Sequence, residues 1–136
     1  MMNTLKVIFT ITIVFISFTA SGYFKKVTIK SLELNQIREV KIYKLNIGSR
    51  DKKTLTAIYM LDEGNDDELL FETAKSLNIK NLLVVAISNI DRGYDFRPPY
   101  TMTRGDNVRP GNGKKFVSFI KSELIPFIDK KYGKPS

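Results

Sequence analysis

Two apolar runs set the fold of this chain. Leu55-Thr-Ala-Ile-Tyr-Met-Leu61 and Leu82-Leu-Val-Val-Ala-Ile87 are continuous rather than alternating. Strands covered on both faces read this way, and such strands belong to parallel sheets. Between them, Asp66 to Leu77 carries Leu70, Thr73, Ala74 and Leu77 on one helical face. Asn65 followed by Glu68 fits a capping box at the start of that helix. Strand, helix and strand within about thirty residues make a βαβ unit, right-handed by default.

The flanks extend the pattern. Lys25 to Leu34 places Val27, Ile29, Leu32 and Leu34 at a spacing of two with one slip, which predicts a strand with a bulge. Val40 to Ile47 reads as a second strand, joined to the first as a hairpin through Asn35 and Gln36. Gly48 to Lys53 is a polar turn. Asn89 to Asn112 is rich in Gly, Pro and Asp and predicts a long loop. The strongest helix runs from Lys114 to Tyr132. Its stripe is Phe116, Phe119, Ile120, Leu124, Phe127 and Ile128, and Pro126 is expected to kink it near Ser122. Gly133 and Pro135 then stop it.

The first residues have another character. Lys6, the apolar run Val7 to Ile16 and the small residues Thr19-Ala20-Ser21-Gly22 form a basic, apolar and small-residue series, the layout of an export signal. Residues 1–22 are read as that signal and 23–136 as one small domain. Cleavage is the preferred outcome, with a retained anchor as the alternative. The apolar run is short of the ~20 residues a bilayer span needs. The expected location is periplasmic or secreted.

Composition removes whole classes of chemistry. The chain has no Cys and no His, so disulfides, thiolate sites, imidazole metal ligands and a Ser-His couple are all unavailable. No cofactor and no metal are expected. The formal charge is +8. The lysines are scattered singly and in pairs instead of forming one stripe with interleaved aromatics, so a solvated basic surface is expected and no nucleic-acid partner. Gly111-Asn-Gly-Lys-Lys115 lacks the glycine and hydroxyl spacing of a phosphate loop. The acidic run Asp66-Asp67-Glu68 lacks calcium-loop spacing and suits a first helical turn.

Three ordered segments carry a family resemblance. Ile58-Tyr-Met-Leu-Asp62 with Gly64, Val84-Val-Ala-Ile-Ser-Asn89 with Asp91, Arg92, Asp95 and Pro98, and Gly113 to Tyr132 with its Glu123-Leu-Ile-Pro126 resemble the enterochelin-esterase-like α/β hydrolases. The resemblance covers about residues 55–132. It implies an α/β fold: the N-terminal part of an α/β-hydrolase sheet, with an antiparallel hairpin, then βαβ and a Pro-kinked helix. In that family a strand and a G-x-S-x-G elbow follow, with Asp/Glu and His later. No G-x-S-x-G occurs here, so the chain is expected to be a truncated, inactive part of an exported esterase for small-molecule carboxylic esters.

The resemblance also implies site positions. Gly64 or Asn65 offers a backbone oxyanion donor, although Asp62-Glu63-Gly64 departs from the family's direct Asp-Gly. Asp62, Arg92 and Asp95 border the active-site mouth. Simpler roles stand beside these: Gly64 allowing the turn, Asp62 capping it, and Arg92 bracing its loop by pairing with Asp91 or Asp95. A split enzyme and a small exported binding module on a reduced scaffold are the competing functions. Strand 82–87 is expected at an open edge of the sheet, which invites self-association.

Overall fold

The computed structural model describes residues 24–47, 55–62, 64–98 and 110–135; the segment read as an export signal, the expected turn 48–53 and residues 99–109 of the expected loop lie outside the described residues. The elements are β1 (Phe24–Ser31), β2 (Gln36–Leu45), β3 (Thr56–Leu61), α1 (Asn65–Ser76), β4 (Leu82–Ile87), α2 (Arg92–Asp95), α3 (Gly113–Phe119), a π-helical segment (Ile120–Leu124) and α4 (Ile125–Tyr132). The four strands form one sheet in the order β1-β2-β4-β3. β1 and β2 are antiparallel, β2 and β4 are antiparallel, and β3 and β4 are parallel.

Strand alternation then sorts side chains onto two faces. Val27, Ile29, Val40, Ile42, Leu83, Val85 and Ile87 face the helix that runs from Gly113 to Tyr132, meeting Phe116, Phe119, Leu124 and Ile128. Tyr43, Leu45, Leu82 and Val84 face α1 and meet Phe71 and Ala74. The result is three layers, with the sheet in the middle.

The strand at the edge differs from the one expected there. All of β4 is buried, because the hairpin's second strand takes the side of β4 that β3 leaves open. The open edge belongs to β3, whose central residues are half-buried and whose ends are exposed. The hairpin has no bulge: pairing is continuous from Phe24–Tyr43 to Ser31–Gln36. The slip in spacing arises because the chain turns at Leu32, which is exposed, while Leu34 folds back under the sheet. Asn35 takes the left-handed conformation this turn needs (φ 52°), as do Asn46, Asn78 and Asn81 at other element ends. Asn tolerates that region better than most side chains.

Two helix expectations also change. α1 starts one residue earlier than predicted, with Gly64 as its N-cap. Asp67, not Glu68, closes the turn by accepting from the Gly64 N–H at 3.3 Å. Asp67 is fully buried and also accepts from the Tyr43 hydroxyl at 2.8 Å and the Lys41 ammonium at 3.4 Å. The buried face of α1 is therefore Asp67, Phe71 and Ala74, while Leu77 is 68% exposed. In the last helix, Pro126 does not break the run. It lacks an N–H and its ring crowds the carbonyl four residues back. The preceding turn widens to a π segment, in which the Ile125 N–H reaches the carbonyl of Ile120. Within that segment, Glu123 accepts from the N–H groups of Leu32 (2.8 Å) and Glu33 (3.1 Å), fastening the helix to the hairpin turn.

Tyr59, on β3, has a buried hydroxyl without a hydrogen-bond partner. Burial, reinforced by the Asp129 charge, pushes its pKa from 10.0 to about 12. A raised pKa means the folded state holds this proton more tightly than the unfolded state, so stability falls as pH rises from 10 toward 12. Tyr59→Phe is expected to flatten that alkaline decline in urea-unfolding curves. Glu123→Ala is expected to cost about 0.5–1.5 kcal/mol and to speed amide exchange at Leu32 and Glu33.

Candidate active site at the carboxyl ends of the parallel strands

The carboxyl ends of β3 and β4 lie side by side, because the pairing runs in register from Thr56–Leu82 to Leu61–Ile87. The next residues of each strand therefore meet. Asp62 takes a left-handed backbone conformation (φ 74°), which is sparsely populated for a residue with a Cβ. Its carboxylate is held from two directions. The Asn89 side-chain amide donates to one oxygen, and the Arg92 Nε lies 2.8 Å from the other. Asp62 is thus not the cap of the following turn; Asp67 has that role. Arg92 pairs with Asp62 across the two strand ends.

Asp95 lies deeper than a mouth residue would. It is 1% exposed and receives both guanidinium arms of Arg38, at 2.8 and 2.7 Å. Arg38 is itself buried, also donates to the Ser88 carbonyl at 3.3 Å, and lies 5.6 Å from the centre of the Phe116 ring. This bidentate pair ties β2 to α2. Arg38 was not singled out from the sequence, although a signal exists. Counting back by twos from Ile42 and Val40 puts Arg38 on the apolar face of β2, where an unpaired guanidinium would not survive.

The long loop is clamped at its base. It contains the short α2, capped by the Asp91 carboxylate accepting from the Tyr94 N–H at 2.9 Å. Gly111, Asn112 and Gly113 donate their N–H groups to the carbonyls of Pro98, Tyr94 and Arg97, at 3.2, 2.7 and 3.0 Å. A Cβ on Gly111 would stand 2.0 Å from the Arg97 oxygen. The Gly-Asn-Gly run is therefore a stitch between two stretches of backbone.

The two oxyanion candidates separate here. The Gly64 N–H is committed to Asp67. Gly64 does not supply the left-handed residue of the turn, since its φ of −171° is extended. Asn65 is the first residue of α1, and the first N–H groups of a helix have no intrahelical acceptor. The two donors thus stand at the end of β3, beside Asp62 and Arg92. Among the described residues no group of three or more His, Cys, Asp or Glu is placed to hold a metal ion, and no helix is long and apolar enough to cross a membrane.

A sheet in the order β1-β2-β4-β3, helices on both faces and returns gathered at the carboxyl ends of the parallel strands define a partial α/β-hydrolase fold. No family model matches the chain, and no curated relative does. Solved structures do. The chain is similar to an IroE-like serine hydrolase from Shewanella oneidensis (TM-score 0.63, 23% identity, 82% of this chain and 39% of that one). It is similar to the BES protein from Bacillus cereus (TM-score 0.60, 20% identity, 90% and 52%). It is also similar to the enterobactin esterase FES from Shigella flexneri, solved in the presence of enterobactin (TM-score 0.55, 18% identity, 82% and 27%). These neighbours are of the same kind as the family the sequence resembles. The chain spans about half the length of the second and less of the others.

Removing one member of a buried ion pair strands the other charge, which costs about 3–5 kcal/mol. Arg38→Met and Asp95→Leu are each expected to lose that much in urea unfolding, and the double substitution to recover most of it. Gly111→Ala is expected to destabilise as well, while Arg92→Ala, at an exposed pair, changes stability by less than about 1 kcal/mol.

Proposed function

We propose that the chain supplies the N-terminal half of the sheet and one oxyanion donor of an exported serine esterase for small-molecule carboxylic esters, and that it hydrolyses no ester unaided. The supporting observation is that β3 ends at Leu61, just before Asp62, and α1 starts at Asn65, in a fold similar to those of a solved serine hydrolase and a solved esterase. In such folds one oxyanion donor comes from the loop after the third strand and the other from the residue after the nucleophile. The Asn65 N–H is the better donor of the two here, being first in its helix and favoured by the helix dipole for a developing negative charge.

The rest of the chemistry has to come from other sequence. Acyl transfer needs a nucleophile and a base that takes its proton; these residues include no His and no G-x-S-x-G. Asp62 and Arg92 form the mouth, where Arg92 is 73% exposed and free to turn toward an anionic substrate group once Asp62 releases it. Export rests on the apolar N-terminal run.

The full chain is expected to leave p-nitrophenyl butyrate intact and to take up no fluorophosphonate label. Joined or mixed with a segment that supplies the elbow serine, acid and His, it is expected to gain both activities. In that complemented form Asn65→Pro deletes the donor at a helix position where proline is tolerated, and is expected to lower kcat by about 10²–10³. Turnover by the chain alone overturns the proposal. A complemented enzyme indifferent to Asn65→Pro moves the donor elsewhere.

A further inference from the structure

The charges of the chain are sorted along its strands. β1 runs parallel to β4, since β2 is antiparallel to both. The hairpin turn, the end of β3 and the first turn of α1 therefore lie at the carboxyl end of the sheet. Glu33, Asp62, Asp66, Asp67 and Asp91 stand there. The opposite end, where β1, β3 and β4 begin and the last helix stops, carries Lys25, Lys44, Lys80, Lys130, Lys131 and Lys134. Of the described acidic residues toward that end, Glu72 is paired with Lys75 at 3.3 Å and Asp129 is half-buried. Lysines scattered through the sequence are thus gathered on one face by the topology.

Three of these ammonium groups are close together. Lys25 lies opposite Ile42 in the strand register, so Lys44 is its diagonal neighbour on the face that meets the last helix; such neighbours stand roughly 7–8 Å apart. The Nζ atoms of Lys44 and Lys131 lie 5.5 and 5.9 Å from the centre of one ring, that of Tyr132, and Lys131 Nζ lies 5.1 Å from that of Phe127. Burial first, and then the charges of Lys25 and Lys44, lower the Lys131 pKa from its ordinary value. Aromatic rings hold these cations in place. Among the described residues no carboxylate stands within ion-pair distance of Lys44 or Lys131. An external anion relieves the repulsion within such a cluster.

We infer that this end of the molecule docks on the anionic phospholipid headgroups of a bilayer. Two observations favour a lipid surface over a single small anion. The lysines are spread across the sheet instead of converging on one point: Lys25 and Lys80 belong to β1 and to the start of β4, two strands apart in the order β1-β2-β4-β3 and hence separated by about 10 Å or more. The second observation is where the chain enters the domain. Phe24 opens β1 at this end, and residues 17–23 separate it from the apolar run Val7 to Ile16. Seven residues reach at most roughly 25 Å, so a run seated in a bilayer keeps the lysines near its headgroups. In this pose the carboxyl ends of β3 and β4, with Asp62 and Arg92, face away from the surface. The docking goes beyond the esterase reading and holds whether or not that reading does.

Because the chain has no cysteine of its own, the full chain takes a single nitrobenzoxadiazole dye at Lys130→Cys or, at the opposite end, at Leu32→Cys, where the native side chain is 76% exposed. On vesicles of phosphatidylcholine and phosphatidylglycerol the dye at position 130 is expected to brighten and shift to the blue. On phosphatidylcholine alone it is expected to change about fivefold less, and the dye at position 32 to change on neither. Each lysine near an anionic surface favours binding roughly fivefold. Lys25→Gln, Lys44→Gln and Lys131→Gln together are therefore expected to lower the preference for phosphatidylglycerol vesicles over neutral ones by about 10²-fold. Lys30→Gln, Lys114→Gln and Lys115→Gln, toward the other end, are expected to lower it by less than about fivefold. If the first triple variant fails to fold, the paired dyes still decide. Equal brightening at both positions, a signal at position 130 that does not need phosphatidylglycerol, the same change with inorganic phosphate and no vesicles, or tighter binding of duplex DNA than of the anionic vesicles each overturns the proposal.

Discussion

The structure depends on the burial of β4. A strand with every residue excluded from solvent needs a neighbour on each edge and a layer on each face. β3 and β2 meet the first need, while α1 and the Gly113–Tyr132 helix meet the second. Each fully buried Leu, Val or Ile contributes roughly 1.5–3 kcal/mol relative to exposure, so β4 supplies a large share of the apolar driving force. The mixed direction of the sheet follows. β3 reaches β4 through α1 and must run parallel to it, whereas the hairpin closes the other side antiparallel.

The polar groups inside the molecule serve this arrangement rather than chemistry of their own. Asp67 joins the start of α1 to β2 through Tyr43 and Lys41. Arg38 joins β2 to α2 through Asp95. Glu123 joins the last helix to the hairpin turn. Asp67, Arg38 and Asp95 are buried charges offset by charge-assisted hydrogen bonds, while Glu123 is half-buried. Together they fix the carboxyl ends of β3 and β4, where Asp62, Asn89 and Arg92 converge.

The π segment shows how a local fault is absorbed. Phe119 and Leu124, both fully buried on the same face, are five residues apart, more than one α-helical turn. With Pro126 just beyond, a regular α-helix would rotate either Phe119 or Leu124 out of the core. A single widened turn keeps both in. The stripe predicted from spacings of three and four is therefore correct in membership, and the irregularity expected near Ser122 takes the form of a widened turn over Ile120–Leu124.

The sequence by itself determined the element types and the layers. Continuous apolar runs mark strands covered on both faces, three-and-four spacing marks the last helix, and both are local consequences of side-chain period. It also carried the resemblance that the solved structures match in fold, and the absence of His and of a serine elbow. Which strand lies inside the sheet was beyond its reach: both apolar runs suit an interior place, and only the pairing of β2 with β4 leaves β3 at the edge. The same holds for ion-pair partners. Arg92 finds Asp62, and Asp95 finds Arg38 across 57 positions of sequence, because β-sheet register and the fold of α2 bring them together. Pairings between residues so far apart are decided by packing, which no local spacing records.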